Sequence, residues 1–481
     1  MSDYTKRFVR YFYDPPPKYD DMSGASIWFL GKEYPAIPPK PVSTTDHEDI
    51  VEIESSADSR DASEATASTQ DEPQNTPVLQ QSSSAFHDVQ HVSSENLPSL
   101  SNDPADGGWP QPFLDDFESR AWMTYRSNFQ PIPRSQDPSA SSGMSFSVRL
   151  RSLAEKEGFS SDTGWGCMIR SGQSLLSNAL IMLHLGRDWR RRRQSLLQPI
   201  STESIDSTAP TQPSQTESSI LSLFADDPSA PFSIHRFVSH GATACGTHPG
   251  QWFGPSATAS CIEALTSSAL PSAGLRVYVT PSSSEVFEDR FLSIACSDVT
   301  NPEPSTIQPT LILLGIRLGI DRITPVYHAA LKSFFTYPQS LGIAGGRPSS
   351  SHYFVGTQGD LFLYLDPHET RPALPYHAKP EEYTQEEIDT CHTRRLRGLR
   401  ISEMDPSMLI GFLIRDAEDW EDWKRRVNET QGKAIVHVYR ETPPGREGTM
   451  TERKEAVDEV STFDDEEAEE GDDAATVTGK D

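Results

Sequence analysis

One of the five cysteines, Cys167, occupies the position in this chain best suited to covalent chemistry. Gly164 and Gly166 precede it, and the residues that follow, 168–185, carry apolar side chains at helical spacing. This pattern predicts a buried helix that begins near Cys167. The unpaired N–H groups and the dipole of a helix N-terminus favour a thiolate, and such an N–H can bind an oxyanion. Cys167 is therefore a candidate nucleophile, although these observations also fit a buried structural cysteine.

An attacking thiol needs a base and a group that orients the base. The tripeptide Asp366-Pro367-His368 follows an apolar run, 361–365, that predicts a strand. Residues two apart on an extended backbone point to the same side, and the proline favours an extended Asp366. His368 is therefore the candidate base and Asp366 its orienting acid. Glu369 is the weaker candidate for that acid, because adjacent side chains point in opposite directions.

The rest of the sequence offers few competing sites. Gly345 and Gly346 lack the strand-to-helix context of a phosphate loop. The five cysteines show no CxxC pair and no His/Cys cluster at metal spacing, so we expect neither a metal nor a cofactor. Their odd number fits a reducing compartment better than a disulfide framework. Further histidines without an acidic neighbour at comparable spacing are interpreted as structural or solvated: His184, His240, His248, His352, His377 and His392.

The elements that would position these groups are helices first and strands mostly later. Besides the helix after Cys167, helices are predicted at 117–126, at 256–270 and between residues 414 and 434. The predicted strands are 275–279, 311–316, 408–414, 434–439 and a hairpin of 353–356 with 361–365. This order predicts an α+β fold with a central helix against a largely antiparallel sheet. The run Arg190–Arg193 is interpreted as a solvated helix end.

Composition divides the chain into ordered and disordered parts. Residues 44–108 contain 14 acidic residues and one basic residue, and residues 451–481 contain 13 acidic and 3 basic residues. These segments carry most of the net charge of −28 and cannot build a core, so the acidity says little about the folded surface. The predicted catalytic domain comprises 1–43 and 109–443, with disordered insertions at 44–108 and 199–218 and a disordered tail at 444–481.

The apolar segments of the chain indicate how its N-terminal region packs and whether the chain crosses a membrane. The aromatic and apolar cluster at 27–34 is too dense for a free tail and is expected to pack on the main body. The N-terminus lacks an apolar signal core, and the longest apolar runs are too short to cross a bilayer. We therefore expect a soluble, cytosolic protein.

Five motifs, in order, resemble those of the autophagins, the autophagy-related cysteine peptidases that cut a small ubiquitin-like modifier. The similarity covers most of residues 8–43 and 109–440 and is of the fungal type with low-complexity insertions. It implies a papain-like fold with a small accessory subdomain. The motifs are Ser161–Arg170, Trp252–Pro255, Pro338–Gly342, Gly345–Pro348 with His352–Phe354, and Asp366–His368.

The resemblance implies a role for each matching residue. Cys167 would be the nucleophile, His368 the base and later the acid, and Asp366 the orienting partner of His368. The hydroxyl of Tyr125 and the backbone N–H of Cys167 would form the oxyanion hole.

The resemblance also implies how substrates are selected. Trp252 and the loop that contains Pro338 match the pair that covers the active-site entrance in the family. Such a cover admits only a thin segment, so the substrate would end in glycine. The group released would be either a C-terminal extension of the modifier precursor or the amine of phosphatidylethanolamine.

The implied partners are the modifier precursor, its lipid-conjugated form and, transiently, the autophagic membrane that carries it. The resemblance further implies a monomer without cofactor, metal or nucleic acid. It would be a cytoplasmic enzyme recruited to sites of autophagosome formation, which is also compatible with a nuclear pool.

Two alternatives from other functional classes remain open at this point. A papain-like amidotransferase or acyltransferase would use the same cysteine and histidine on a small molecule. A scaffold without catalysis would only bind the modifier, and replacing Cys167 by alanine would then have no effect.

Overall fold

The computed structural model describes residues 17–20, 23–36, 107–154, 157–191, 216–280, 284–296, 304–346 and 350–443. The segments predicted to be disordered at 44–108, 199–218 and 444–481 therefore lie outside the described residues, except for the last residues of the first two. There Gly107 accepts a hydrogen bond from the backbone N–H of Tyr19, and Thr216 caps a helix that begins at Glu217.

The helices of the described residues are α1 (Gln111–Glu118), α2 (Phe146–Ala154), α3 (Cys167–His184), α4 (Glu217–Ser222), α5 (Ile234–His240), α6 (Pro255–Ser268), α7 (Leu270–Ala273), α8 (Glu288–Ala295), α9 (His328–Phe334), α10 (Gln385–Asp389) and α11 (Ala417–Asn428). The strands are β1 (Ile27–Phe29), β2 (Lys32–Tyr34), β3 (Arg126–Ile132), β4 (Phe159–Ser161), β5 (Arg276–Thr280), β6 (Glu285–Phe287), β7 (Thr310–Arg317), β8 (Ser340–Gly345), β9 (His352–Gln358), β10 (Leu361–Leu365), β11 (Arg371–Pro372), β12 (Arg397–Arg400), β13 (Ser407–Ile414) and β14 (His437–Tyr439).

The main sheet is largely antiparallel. Its strands follow the order β12-β10-β9-β8-β13-β7-β5, and β1 also pairs with β9 and with β2. Only the β5–β7 pair of this sheet is parallel among the described strands. The β9–β10 hairpin places Leu365 opposite Tyr353. The end of β10, which leads to Asp366, therefore lies beside the start of β9.

Both faces of this sheet are covered. Leu311 and Leu313 of β7 belong to a core shared with α3 and α6, whereas Ile312 and Leu314 belong to a second core with the tryptophans of α11. Successive side chains of a strand point to opposite faces, so burial on both faces requires a continuous apolar strand. α3 is buried from Cys167 to Met182 and packs against β8 and β9. The α+β class is confirmed.

The helix predicted at 117–126 is wrong over most of its length, because only residues 117 and 118 are helical. α1 ends at Glu118, and the chain then runs without regular structure into β3. The backbone N–H groups of Ala121 and Met123 bond to side chains of α3, and that of Tyr125 donates to the carbonyl of Pro367 at 2.8 Å. These long-range bonds replace the local bonds of a helix, and the apolar spacing alone does not reveal them.

The arginine run is also not a solvated helix end. α3 ends at His184, and Arg190 forms an ion pair of 3.0 Å with the buried Asp116. Arg191 pairs with Glu217 and Asp389, whereas residues 192 and 193 lie outside the described residues.

The N-terminal strands of the described domain pair with the main sheet, whereas the C-terminal strand β14 does not. Ile27–Phe29 pairs with β9, so the aromatic cluster packs on the main body. The predicted strand 434–439 is shortened to β14, which pairs with β6 outside the main sheet. Among the helices described, none is long and apolar enough to span a membrane.

Candidate active site

A tight turn delivers Cys167 to the first position of α3. The backbone N–H groups of Trp165 and Gly166 both donate to the carbonyl of Asp162. Gly164 has a φ of +91°, which favours glycine, and a Cβ on Gly166 would lie 2.3 Å from Oδ2 of Asp162. The two glycines are therefore needed for different reasons, one for backbone conformation and one for space. The thiol that results is buried.

A network of buried charges holds this turn. Asp162 accepts hydrogen bonds from the backbone N–H of Arg126 at 2.6 Å and from Nε of Arg170 at 2.7 Å. Arg170 also pairs with Asp226 at 2.8 Å. Each buried carboxylate has a cationic partner, which offsets part of the cost of removing these charges from water. For Asp162 burial outweighs the pairing with Arg170, and its pKa is raised. The network ties the turn to β3 and to the segment before α5.

The candidate base lies at the end of β10. Nδ1 of His368 is 2.6 Å from Oδ1 of Asp366, which also accepts the backbone N–H of His368 at 3.1 Å. The predicted pairing is therefore present. Glu369 instead pairs with Arg371 at 2.7 Å on the exposed surface, so the arrangement assigns the orienting position to Asp366.

The segment before β3 fixes this loop. The indole N–H of Trp122 donates to the carbonyl of Asp366 at 2.6 Å, and the hydroxyl of Thr124 donates to the carbonyl of Pro367 at 2.7 Å. Backbone carbonyls of the loop are thus held from one side, which leaves the carboxylate and the imidazole to face each other.

The electrostatics favour a charged pair of thiolate and imidazolium. Burial raises the pKa of Cys167, but the interaction with His368, the charge of His368 and the polar groups of Ser351 outweigh burial and lower that pKa. Burial lowers the pKa of His368, but the charge and hydrogen bond of Asp366 and the contact with Cys167 raise it to about 10. The pKa of Asp366 is depressed despite burial, because His368 lies beside it.

The hydroxyl of Tyr125 lies beside the thiol. Burial and the charges of Cys167 and Asp162 hold the pKa of Tyr125 well above its ordinary value, so the group stays a donor. Its ring meets the imidazole of His368 edge to face, with centroids 5.4 Å apart. No acceptor among the described residues lies in good hydrogen-bond geometry with this hydroxyl. A buried O–H donor beside a nucleophile is suited to an oxyanion.

Two residues of the site were missed by sequence reasoning. Ser351 lies beside the thiol of Cys167, and its polar groups contribute to the lowered pKa of that thiol. His352 begins β9, and its ring centroid lies 4.4 Å from that of Tyr364 and 5.3 Å from that of His368. Its interpretation as an ordinary structural or solvated histidine was incomplete. The sequence did contain one indication of a role in the site, because His352 belongs to the motif of Gly345–Pro348 with His352–Phe354.

His352 differs electrostatically from its neighbour. Burial lowers the pKa of His352 to about 4, assisted by the charges of His368 and Arg397 and opposed by that of Asp366. One imidazole of the site is therefore neutral and the other charged at neutral pH. Ligand atoms of His352, Asp366 and His368 lie within 4.8 Å of one another, which is metal-binding proximity. The pairing of Asp366 with His368 beside a thiol already accounts for this arrangement.

Trp252 lies in the turn that leads into α6. The side chain is half-buried, and its indole N–H has no hydrogen-bond partner among the described residues. α6 packs on α3, where a Cβ on Gly172 would lie 2.4 Å from Cγ2 of Thr258. Trp252 thus precedes a helix that packs on the helix carrying the thiol.

The prediction for Pro338 is wrong. Pro338 is exposed and precedes β8, where a Cβ on Gly31 would lie 2.9 Å from its Cα. The opposite end of β8 is at the site, because Gly345 pairs with His352. A strand of this length spans about 17 Å, so Pro338 lies far from the thiol. The motif Pro338–Gly342 therefore includes the start of the strand that reaches the site, but Pro338 lies at the end of this strand away from the thiol.

Comparisons with known proteins agree with this chemistry. The family model of the peptidase C54 catalytic domain matches residues 110–426. The chain is 54% identical over 470 residues to a probable cysteine protease atg4 of Botryotinia fuckeliana, covering 96% of each chain. It is 53% identical over 462 residues to a probable cysteine protease atg4 of Sclerotinia sclerotiorum, again covering 96% of each chain. A cysteine protease atg4 of Emericella nidulans is 47% identical over 461 residues, covering 96% of each chain.

Proposed function

The chain belongs to the peptidase C54 family and is a cysteine peptidase, and from this premise we propose that it cleaves after the C-terminal glycine of the ubiquitin-like autophagy modifier. The observation that carries the proposal is the meeting of three groups at one point. A thiol of lowered pKa, an imidazole of raised pKa and a buried phenolic O–H lie together at the start of α3.

In the proposed mechanism the Cys167 thiolate attacks the carbonyl carbon of the C-terminal glycine. The negative charge then develops on the carbonyl oxygen, where the hydroxyl of Tyr125 and the backbone N–H of Cys167 would bind it. The N–H of a first helical residue has no partner within the helix and is available for this role. Donors already in place stabilise the transition state more than the substrate, and this difference lowers the barrier.

Proton transfer completes the cycle. The His368 imidazolium gives its proton to the departing amine nitrogen, which leaves a thioester on Cys167. Neutral His368 then takes a proton from water, whose oxygen attacks the thioester and releases the glycine carboxylate. Asp366 holds Nδ1 of His368, so that Nε2 faces the thiol throughout.

The burial of Cys167 supports selection of a glycine terminus. A thiol without solvent exposure is reached only by a thin segment, and a Cβ on the last residue would require space at the entrance. Trp252 is the proposed entrance residue, because it is half-buried just before α6 and its indole N–H is unpartnered among the described residues. Pro338 has no part in this proposal.

Two leaving amines follow from one chemistry. Release of a C-terminal peptide would process the modifier precursor, and release of phosphatidylethanolamine would remove the modifier from a membrane. The partners proposed are these two forms of the modifier, and the enzyme would act as a cytoplasmic monomer at sites of autophagosome formation.

We also propose the papain-like arrangement, in which a helix carries the nucleophile and an antiparallel sheet carries the base. α3 and the β9–β10 hairpin occupy these two positions. The accessory part would be formed by α8, α11 and the β6–β14 pair on the other face of the sheet. The amidotransferase and scaffold alternatives lose support, because the family is one of peptidases.

The test is cleavage of a modifier with a C-terminal extension by wild-type protein, Cys167→Ala and Cys245→Ala. We expect wild type and Cys245→Ala to release the extension and Cys167→Ala to bind without cleaving. Cys245 is the matched control, because it is a half-buried cysteine without a disulfide bond in the segment between α5 and α6. Cleavage by Cys167→Ala would remove Cys167 as the nucleophile, and no cleavage by wild type would overturn the proposed substrate.

A further inference from the structure

The helix α2 exposes its apolar side chains. Phe146, Leu150 and Leu153 are 58%, 60% and 77% exposed, and their spacing of four and three residues places them in one stripe. The other large apolar side chains exposed in the described part of the chain are separated from this stripe in sequence: Ile320, Val326, Tyr376 and Tyr439. A contiguous apolar stripe of this kind usually marks a contact surface.

The opposite side of α2 is the one that packs. Val148 and Ser152 are buried, and Cγ2 of Val148 would lie 3.4 Å from a Cβ on Gly164. An ordinary surface helix turns its apolar side inward and its polar side to solvent. α2 instead buries Val148 and Ser152 and directs three large apolar side chains away from the domain, so burial within the described domain does not account for them.

The helix that carries this stripe has a positive charge. Residues 138–154 contain Arg149 and Arg151 and no acidic residue, and the nearest acids along the chain are Asp137 and Glu155. Both arginines are exposed on α2, although the chain as a whole has a net charge of −28. Apolar side chains flanked by cations complement an anionic lipid surface, where the former enter the acyl boundary and the latter meet the headgroups.

α2 also lies at the rim of the candidate active site. Nη1 of Arg151 donates to the carbonyl of Thr163 at 2.7 Å, and the hydroxyl of Thr163 is 2.9 Å from that of Thr370. These two threonines belong to the turn before Cys167 and the loop after His368. A surface held against α2 would therefore lie beside the reacting groups.

We propose that the apolar stripe of α2 docks on the anionic lipid bilayer that carries the conjugated substrate. This inference rests on the proposed release of the modifier from phosphatidylethanolamine. A single convex helix lacks the walls of a peptide groove, and its apolar ridge with flanking arginines fits a bilayer interface better than a protein pocket. Docking would bring the thiol to an amide bond that lies at the headgroup level.

The first experiment measures binding of the full chain to vesicles of phosphatidylcholine, with and without phosphatidylserine, by flotation. We expect wild type to bind the anionic vesicles and the variant Phe146→Ser/Leu150→Ser/Leu153→Ser to bind at least about tenfold more weakly. Ile320→Ser is the matched control, since it removes an exposed apolar side chain elsewhere and should bind like wild type. Equal binding by the triple variant, or no binding by wild type, would overturn the proposal.

The second experiment compares two substrates. The triple variant should process a soluble, C-terminally extended modifier at the wild-type rate but release vesicle-conjugated modifier at least about tenfold more slowly. Equal loss on both substrates would show that the stripe contacts the modifier, which contradicts the proposal. If wild type cleaves neither substrate, the proposed function fails, while flotation still decides the role of α2.

Two further outcomes would assign the stripe to another occupant. A dimer of wild type that the triple variant loses, measured by light scattering, would make it a contact between two copies. Vesicle binding that arises only after residues 444–481 are removed would make the acidic tail its occupant. Either result would overturn the proposal.

Discussion

The reactivity of Cys167 depends on neighbours from three separate segments. His368 comes from the loop after β10, Ser351 from the residue before β9 and Tyr125 from the irregular segment before β3. Burial alone would raise the pKa of the thiol and make it inert. The hydrogen bonds and the cationic imidazole reverse this effect, so the charged pair is a property of the assembled site.

The charged pair predicts a specific pH dependence. Because the pKa of Cys167 is lowered, its alkylation by iodoacetamide should persist at pH values where an ordinary thiol such as glutathione is protonated. Hydrolysis should decline as the pH rises towards about 10, because His368 then loses the proton needed by the leaving amine. Alkylation rates and kcat/KM across pH measure both effects.

The control for this prediction is His368→Ala. Without the imidazolium, the midpoint of Cys167 alkylation should move to higher pH, because burial then dominates. An unchanged midpoint in His368→Ala would contradict the ion pair.

The hydroxyl of Tyr125 should act on the transition state. Tyr125→Phe removes only the O–H, so kcat should fall about 10²–10³-fold with little change in KM, as for other single oxyanion donors. Tyr353→Phe is the matched control, since its buried hydroxyl donates to the carbonyl of Leu341. Steady-state kinetics measure kcat and KM for both variants. A rise in KM at constant kcat in Tyr125→Phe would instead indicate that Tyr125 acts in substrate binding.

At the scale of elements, the turn before α3 depends on its buried charges. Asp226 pairs with Arg170 at 2.8 Å and accepts the backbone N–H of Leu374 at 2.8 Å, so it links three segments around the site. The turn also packs its buried Trp165 against Phe159, with ring centroids 5.8 Å apart. Its position therefore depends on these polar contacts as well as on packing.

Removing this carboxylate should be costly. Asp226→Ala leaves Arg170 with one fewer partner in a buried position, and we expect a loss of about 3–5 kcal/mol in the free energy of unfolding. Asp360→Ala is the surface control, because Asp360 pairs with Lys332 in solvent, and it should cost only about 0–1 kcal/mol. Urea denaturation measures both variants, and equal losses would show that the network does not stabilise the fold.

At the scale of the whole molecule, the N-terminal strands are an integral part of the domain. Phe29 of β1 is fully buried and meets Phe113 of α1 edge to face, with ring centroids 5.5 Å apart. Arg187 donates to the carbonyls of Phe29 and Leu30. Segments from both sides of residues 37–106 therefore build one core.

This shared core predicts that the N-terminal strands and the rest of the domain unfold together. Phe29→Ala should cost about 3–5 kcal/mol and lower the single thermal transition of the domain. Phe146→Ala is the same substitution at an exposed position, where we expect a change within about 0.5 kcal/mol. A separate early transition in Phe29→Ala, seen by calorimetry, would mean that the N-terminal strands form an independent unit.

The sequence by itself determined the features that depend on neighbouring residues. A cysteine at the start of α3, an acid and a histidine two apart after β10, and the apolar strands β7 and β13 all follow from local spacing. Only the tertiary structure decided which groups meet the thiol. It replaced the predicted helix at 119–125 by an irregular segment that brings in Tyr125, and it placed Ser351 beside Cys167 and His352 beside His368. It also left Pro338 at the far end of β8. Strand register and long-range hydrogen bonds fix these positions, and local spacing contains no record of either.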